Sequence, residues 1–306
     1  MGTTPTVSRR RFLRGNFRSV PPDIRPRDAW ADAPPTGPLL AEPDVRFLLV
    51  HHTAGTNDYG PEDVPDILRW IFRFHTGPER GWPDVAYNFF VDRYGQAWEG
   101  RSGSKAGPVQ ADATGGSQGF AQLVSLIGDH SADPATPEAL DTLVSVLAML
   151  ADRHGLDTAP GATATFVSRG SNRWAAGTSV TATTISGHRD MSLTACPGDA
   201  VYALVADGSL ATAVAGRRPP PPTTTPATGA TTTTATTIVT TTTTEPPTSA
   251  SANSPTAPAT TRAGAQGGDN DGRGYATAAA VLAGAGAAAL IALRLRTRKT
   301  SVTDRS

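Results

Sequence analysis

The chain has 306 residues, with 27 Lys plus Arg balanced by 27 Asp plus Glu, and a single cysteine. The balance leaves no basic footprint, so no nucleic-acid partner is expected, and the lone Cys196 excludes an internal disulfide. Most of the bulky apolar residues fall between residues 28 and 216, enough for one domain with its own core, and a monomer is expected.

Residues 1–27 form a basic segment in which Ser8-Arg9-Arg10-Arg11-Phe12-Leu13-Arg14 resembles a twin-arginine export motif. A working signal also carries an apolar stretch of about 7–15 residues, and residues 15–22 are not apolar. Two readings stand: a remnant export signal, or a basic unstructured arm.

The run Phe47-Leu48-Leu49-Val50 reads as a buried strand ending at His51-His52-Thr53. Residues 61–75 read as a helix, with Pro61 and Glu62 in the first turn and Ile67, Trp70, Ile71 and Phe74 at helical spacing. Strands are predicted over 85–91, 97–99 and 123–127. A helix is predicted over 137–154, with Leu140, Leu143, Val144, Leu147 and Leu150 on one face and Gly155 as its stop. Strands interleaved with helices predict an α/β domain over 28–216: a single mixed β-sheet flanked by helices.

Beyond it the composition breaks. Residues 217–274 are Thr, Pro, Ala, Ser and Gly with little apolar bulk, which predicts a disordered stalk. Residues 275–293 are free of charge and rich in Ala, a transmembrane helix by length. The tail 294–306 opens with Arg294, Arg296, Arg298 and Lys299; by the positive-inside rule it is cytoplasmic. The expectation is a single-pass protein of the cell membrane with its domain on the outer, extracellular side.

Reactive side chains concentrate in two places, His51-His52-Thr53 and the stretch from Gly187-His188-Arg189-Asp190 to Cys196-Pro197-Gly198. Two imidazoles and a thiolate are ligand types that zinc prefers, and three protein ligands with an open fourth position mark a catalytic site. Spacing alone leaves an inert buried thiol as the alternative, because the two halves lie far apart in the chain.

Taken together, Val50-His51-His52-Thr53-Ala54, Arg80-Gly81-Trp82-Pro83-Asp84-Val85-Ala86-Tyr87-Asn88-Phe89, Trp98-Glu99-Gly100-Arg101, Gly187-His188-Arg189-Asp190 and Thr194-Ala195-Cys196-Pro197-Gly198 resemble the peptidoglycan recognition protein and type-2 N-acetylmuramoyl-L-alanine amidase family. The resemblance covers roughly residues 47–204. It implies a Zn2+ cofactor held by His51, His188 and Cys196, with Tyr87 and Thr194 at the catalytic positions. The implied reaction is hydrolysis of the amide between N-acetylmuramic acid and L-alanine in peptidoglycan or muropeptides. The alternative is a recognition module that binds without cutting; such members lose the metal cysteine, which is present here.

Trp82, Asn88 and Arg101 lie in these motifs and are expected to bind substrate. From the residues alone, Trp82 either packs or stacks on sugar, and Arg101 either takes substrate carboxylates or pairs with Glu99. Asp112 stands where the family commonly carries a groove-lining His, which leaves the glycan or stem-peptide preference open. His52, next to His51 on a strand, is expected on the opposite face. His130 and His154 are expected at the surface. Asp190 either orients His188 or caps its loop.

Overall fold

The computed structural model describes residues 22–218. The expected stalk beyond 218, the membrane helix and the basic tail lie outside the described residues, as do residues 1–21 of the N-terminal segment. No helix among the described residues is long and apolar enough to cross a membrane.

The strands are β1 (Ile24–Arg25), β2 (Phe47–His52), β3 (Phe89–Val91), β4 (Ala97–Glu99), β5 (Ala121–Leu126), β6 (Thr163–Val167), β7 (Ser179–Thr183) and β8 (Ile185–Gly187). The helices are α1 (Val64–Thr76), α2 (Pro137–His154), α3 (His188–Met191), α4 (Asp199–Ala206) and α5 (Ser209–Arg217). Six strands form one mixed sheet in the order β1-β4-β3-β5-β2-β8, while β6 and β7 make a separate hairpin. Only β3 and β4 pair antiparallel within the large sheet. This is the α/β architecture expected, a mixed sheet flanked by helices.

Strand β2 is central and buried along its whole length. Leu48 and Val50 face α2 and α5, within a core that includes Leu143, Leu147 and Val214. Phe47 and Leu49 face the other way, packing with Phe166 and Val180 of the hairpin and with Met191. Strand alternation then puts His51 on the hairpin side and His52 on the α2 side, as predicted.

Helix α2 runs over the predicted residues for identifiable local reasons. Thr136 Oγ1 accepts the Ala139 N–H at 3.2 Å, Pro137 occupies the first turn, and Gly155 closes the end at φ 64°. That left-handed conformation costs a glycine little. Leu143, Leu147 and Leu150 are fully buried, each contributing about 1.5–3 kcal/mol of apolar transfer.

Several boundaries differ from expectation. The second strand starts at Phe89 rather than 85, because the preceding backbone is engaged elsewhere: Ala86 N–H donates to His75 Nδ1, while the Tyr87 and Asn88 carbonyls accept from Arg101 and Gly100. The sheet begins before residue 28, since β1 pairs with β4. At the other end α5 includes Arg217, whose guanidinium pairs with Asp141, so the helix extends past 216. The hairpin, β8, α4 and α5 were not foreseen.

Candidate metal centre and active site

Strands β2 and β8 are parallel neighbours, with Val50 opposite Gly187. Both end at the same edge of the sheet, the edge where α/β sheets place their ligands. His51 leaves the end of β2, and His188 opens α3 straight after β8. Cys196 is brought to them by the loop between α3 and α4. One ligand atom from each of His51, His188 and Cys196 lies within 4.8 Å of the others. The His51 and His188 rings are 4.5 Å apart, and Cys196 Sγ sits 3.5 Å from His51 Nδ1.

The chemistry of this cluster suits a divalent metal. Burial pushes His51 well below its ordinary pKa, aided by the neighbouring His188, and pushes His188 down to about 4. Both rings are therefore neutral at pH 7, as metal ligands must be. His51 Nε2 is buried with no partner among the described residues, and Nδ1 faces only the sulfur. Burial pushes the Cys196 thiol up to about 12, against which the His52 backbone N–H donates to Sγ at 3.4 Å. A divalent cation reverses that upward push, because a coordinating thiol is deprotonated outright.

The loop carrying Cys196 is fixed on both sides. Arg189 donates to the carbonyls of Ala195 and Cys196 and pairs with Asp199 at 2.7 Å. Thr194 Oγ1 accepts the Cys196 N–H at 3.2 Å. Asp190 caps its loop: Oδ2 accepts the Gly187 N–H at 2.8 Å and Oδ1 accepts the Tyr202 hydroxyl at 2.6 Å. Of the two roles open for Asp190, capping is the one observed.

Tyr87 joins the cluster, its ring centroid 5.0 Å from that of His51. Its hydroxyl makes no hydrogen bond among the described residues, and burial, then the Cys196 sulfur, raises its pKa. It stays protonated, a donor with no acceptor among the described residues. His75 bridges from Tyr87 to Trp82, with centroids at 5.6 and 5.0 Å. Trp82 is half-buried, with the Arg80 guanidinium 5.3 Å from its ring.

Asn88 and Arg101 are not brought to the cluster. Asn88 is fully buried; its amide donates to Ser104 and Val109 and accepts from Leu123, which makes it a brace between strands. Arg101 is 3% exposed and pairs with Asp112 at 2.7 Å rather than with Glu99. Asp112 thus engages Arg101, and Glu99 instead accepts the Arg27 and Lys105 backbone N–H groups. His130 is also a correction, buried rather than exposed, because its backbone N–H donates to His52 Nδ1 and its ring meets the Asp133 carbonyl. Sequence reasoning missed Tyr202 and the 171–174 loop, which carry no motif of their own.

Known proteins resemble this chain over the same stretch. The family described as N-acetylmuramoyl-L-alanine amidase matches residues 41–199. The N-acetylmuramoyl-L-alanine amidase of Homo sapiens is 32% identical over 193 residues, 60% of this chain but 28% of that protein. For the same enzyme of Sus scrofa the values are 31% over 189 residues, 59% and 26%. The chain therefore spans little more than a quarter of the amidase relatives it matches first. Peptidoglycan recognition protein 1 of Mus musculus is 27% identical over 186 residues, 60% of this chain and 85% of that protein. Among solved structures, Drosophila peptidoglycan recognition protein SD gives a TM-score of 0.46 at 22% identity, covering 60% of this chain and 93% of its own.

Proposed function

Because the chain belongs to the N-acetylmuramoyl-L-alanine amidase family, we propose that its domain hydrolyses the amide between N-acetylmuramic acid and L-alanine in peptidoglycan, with zinc held by His51, His188 and Cys196. One observation carries the reading: two imidazoles and a thiol converge within 4.8 Å at the sheet edge, beside a tyrosine whose hydroxyl has no acceptor among the described residues.

Zinc bound there supplies Lewis acidity and an activated water near neutral pH. The chain's own residues do the rest. Tyr87 donates its hydroxyl to the oxygen of the scissile carbonyl as charge develops on it, from a site where burial keeps that proton in place. Thr194 holds the Cys196 loop through its hydroxyl and stands exposed at the rim of the site, where the leaving peptide departs. A threonine is a poor base, so its part is orientation. Trp82, half-buried beside His75, offers its ring to the sugar in this reading.

The competing reading is a recognition module that binds muropeptides without cutting. Cys196 beside the two imidazoles favours the enzyme. Incubating the full chain with purified muropeptides and measuring free peptide by mass spectrometry decides between them: binding without release of peptide would leave recognition alone. Display on the outer face of a membrane belongs to the same proposal and rests on sequence, namely the charge-free stretch before Arg294 and the cations after it. Protease added to intact cells should release the domain; release only after lysis would reverse the orientation.

A further inference from the structure

A cavity of 330 Å³ is lined by Arg173, Arg189, Asp190, Thr194 and Tyr202 among others, residues of the hairpin tip, the loop that carries Cys196 and α4. Its size lies at the small end of ligand clefts, about 300–1,000 Å³. One wall comes from the β6–β7 hairpin, whose tip is clamped to the loop leading to Cys196. Ser171 Oγ donates to the Met191 carbonyl at 2.8 Å, and Trp174 Nε1 donates to the Asp190 carbonyl at 3.0 Å. Asn172 and Leu193 exchange two hydrogen bonds, at 2.7 and 3.3 Å. Four bonds therefore hold Arg173 at a fixed place beside the site.

The charges in the cavity are unequal in what they have left to offer. Arg189 is committed to Asp199 and two backbone carbonyls. Asp190 is committed to Gly187 and Tyr202, one oxygen each. Arg173 is exposed, makes no ion pair among the described residues, and has its guanidinium 5.3 Å from the Trp174 ring. Stacking of that kind orders a guanidinium while leaving its N–H fork free, and the fork matches a carboxylate.

We infer that this cavity is a subsite for a carboxylate on the stem peptide close to the scissile amide, with Arg173 as the residue that recognises it. The assignment rests on the amidase reading and deepens it, from peptidoglycan in general to stems that keep an acid at that place. Arg189 follows His188 in the chain and donates to the Cys196 carbonyl, and Thr194 accepts the Cys196 N–H, so the cavity shares the loop that carries the cysteine. A stem whose acid is converted to a carboxamide offers no charge to Arg173 and leaves the guanidinium without its partner.

The test compares two muramoyl dipeptides, identical except that the second residue carries a free carboxylate in one and a carboxamide in the other. Calorimetry on the full chain stripped of metal by a chelator reads binding separately from hydrolysis. The acid should bind about tenfold more tightly than the amide at low salt, and the gap should narrow as salt rises. Arg173→Ala should abolish the difference, and Arg173→Lys should restore part of it. In turnover, the preference should appear in KM and not in kcat. Equal affinities for the two peptides, or a preference that survives in Arg173→Ala, would overturn the assignment. A charge-dependent preference without any release of peptide would instead strike at the amidase reading and leave the carboxylate contact standing.

Discussion

The backbone N–H of His52 points at the sulfur of Cys196 from 3.4 Å, across 144 positions of sequence. A strand residue that donates no side-chain atom to the centre thus sets the position of its most distant ligand. The same histidine accepts the His130 N–H through Nδ1 on the opposite face of the sheet. The doublet divides its labour: His51 joins His188 and Cys196 in the cluster, and His52 holds the Cys196 sulfur and the neighbouring loop.

The full chain purified without chelator should carry about one zinc per molecule, by elemental analysis. Cys196→Ser should lose most of it, because a neutral hydroxyl replaces the thiolate, the one anionic ligand of the set. Full occupancy in that variant would show that a different group completes the site.

Tyr87→Phe should lower kcat on muropeptides by about 30-fold or more with zinc content unchanged, since only the donor oxygen is removed. The ring contacts to His51 and His75 persist in the variant, so stability should barely move. If Thr194 supplied the donor instead, Tyr87→Phe would resemble wild type and Thr194→Val would collapse activity.

Gly198 lies against the 128–131 turn at φ 85°, where an added Cβ would come within 2.2 Å of the His130 carbonyl carbon and 2.3 Å of its oxygen. Both obstacles are backbone and cannot swing aside. Gly198→Ala should therefore displace the Cys196 loop and weaken zinc binding about 10- to 100-fold, as changes around metal ligands typically do. Chelator competition measures this; unaltered affinity would show that the turn yields.

Much of this was legible in the sequence. The ends of α2 were readable because Thr136, Pro137 and Gly155 punctuate a clean apolar stripe. The His51-His52 doublet and the Cys196 loop stood out through their residue types. The β6–β7 hairpin was invisible for the opposite reason: Thr163-Ala164-Thr165 and Thr181-Ala182-Thr183 share the composition of the later Thr-rich tract, and each strand buries one large side chain, Phe166 or Val180. That Asn88 and Arg101 turn away from the cluster could not be read, because a motif fixes residue identity without saying which way the side chain turns. Asn88 is bonded by Ser104 and Leu123, and Arg101 pairs with Asp112, partners 11 to 35 residues away that no local pattern announces.

Glu42 gives a test by pH. It is fully buried, accepts the Ala121 N–H at 2.9 Å and is bonded by the Gln122 amide, yet has no ion pair among the described residues. Burial raises its pKa from 4.5 to about 7 despite those bonds. The folded state then holds the proton more tightly than the unfolded chain. Stability from this group is fully present below about pH 4.5 and is lost as pH rises toward 7. Thermal midpoints of wild type and Glu42→Gln should diverge over that window, with the wild type losing about 1 kcal/mol or more relative to the variant as pH rises. Both proteins share the metal ligands, so zinc loss at low pH cancels in the comparison. Parallel profiles would show that Glu42 ionises at no cost.

The distance in sequence between His51 and Cys196, 145 positions, has a consequence for how the protein matures. Parallel pairing of β2 with β5 and β8 requires long loops to close before any contact rewards them, the slow step in assembling such sheets. No partial fold lacking β8 or the final loop can present the three ligands together. A chain that has formed the rest of its core but not β8 and the final loop therefore has no His51–His188–Cys196 cluster to offer a metal.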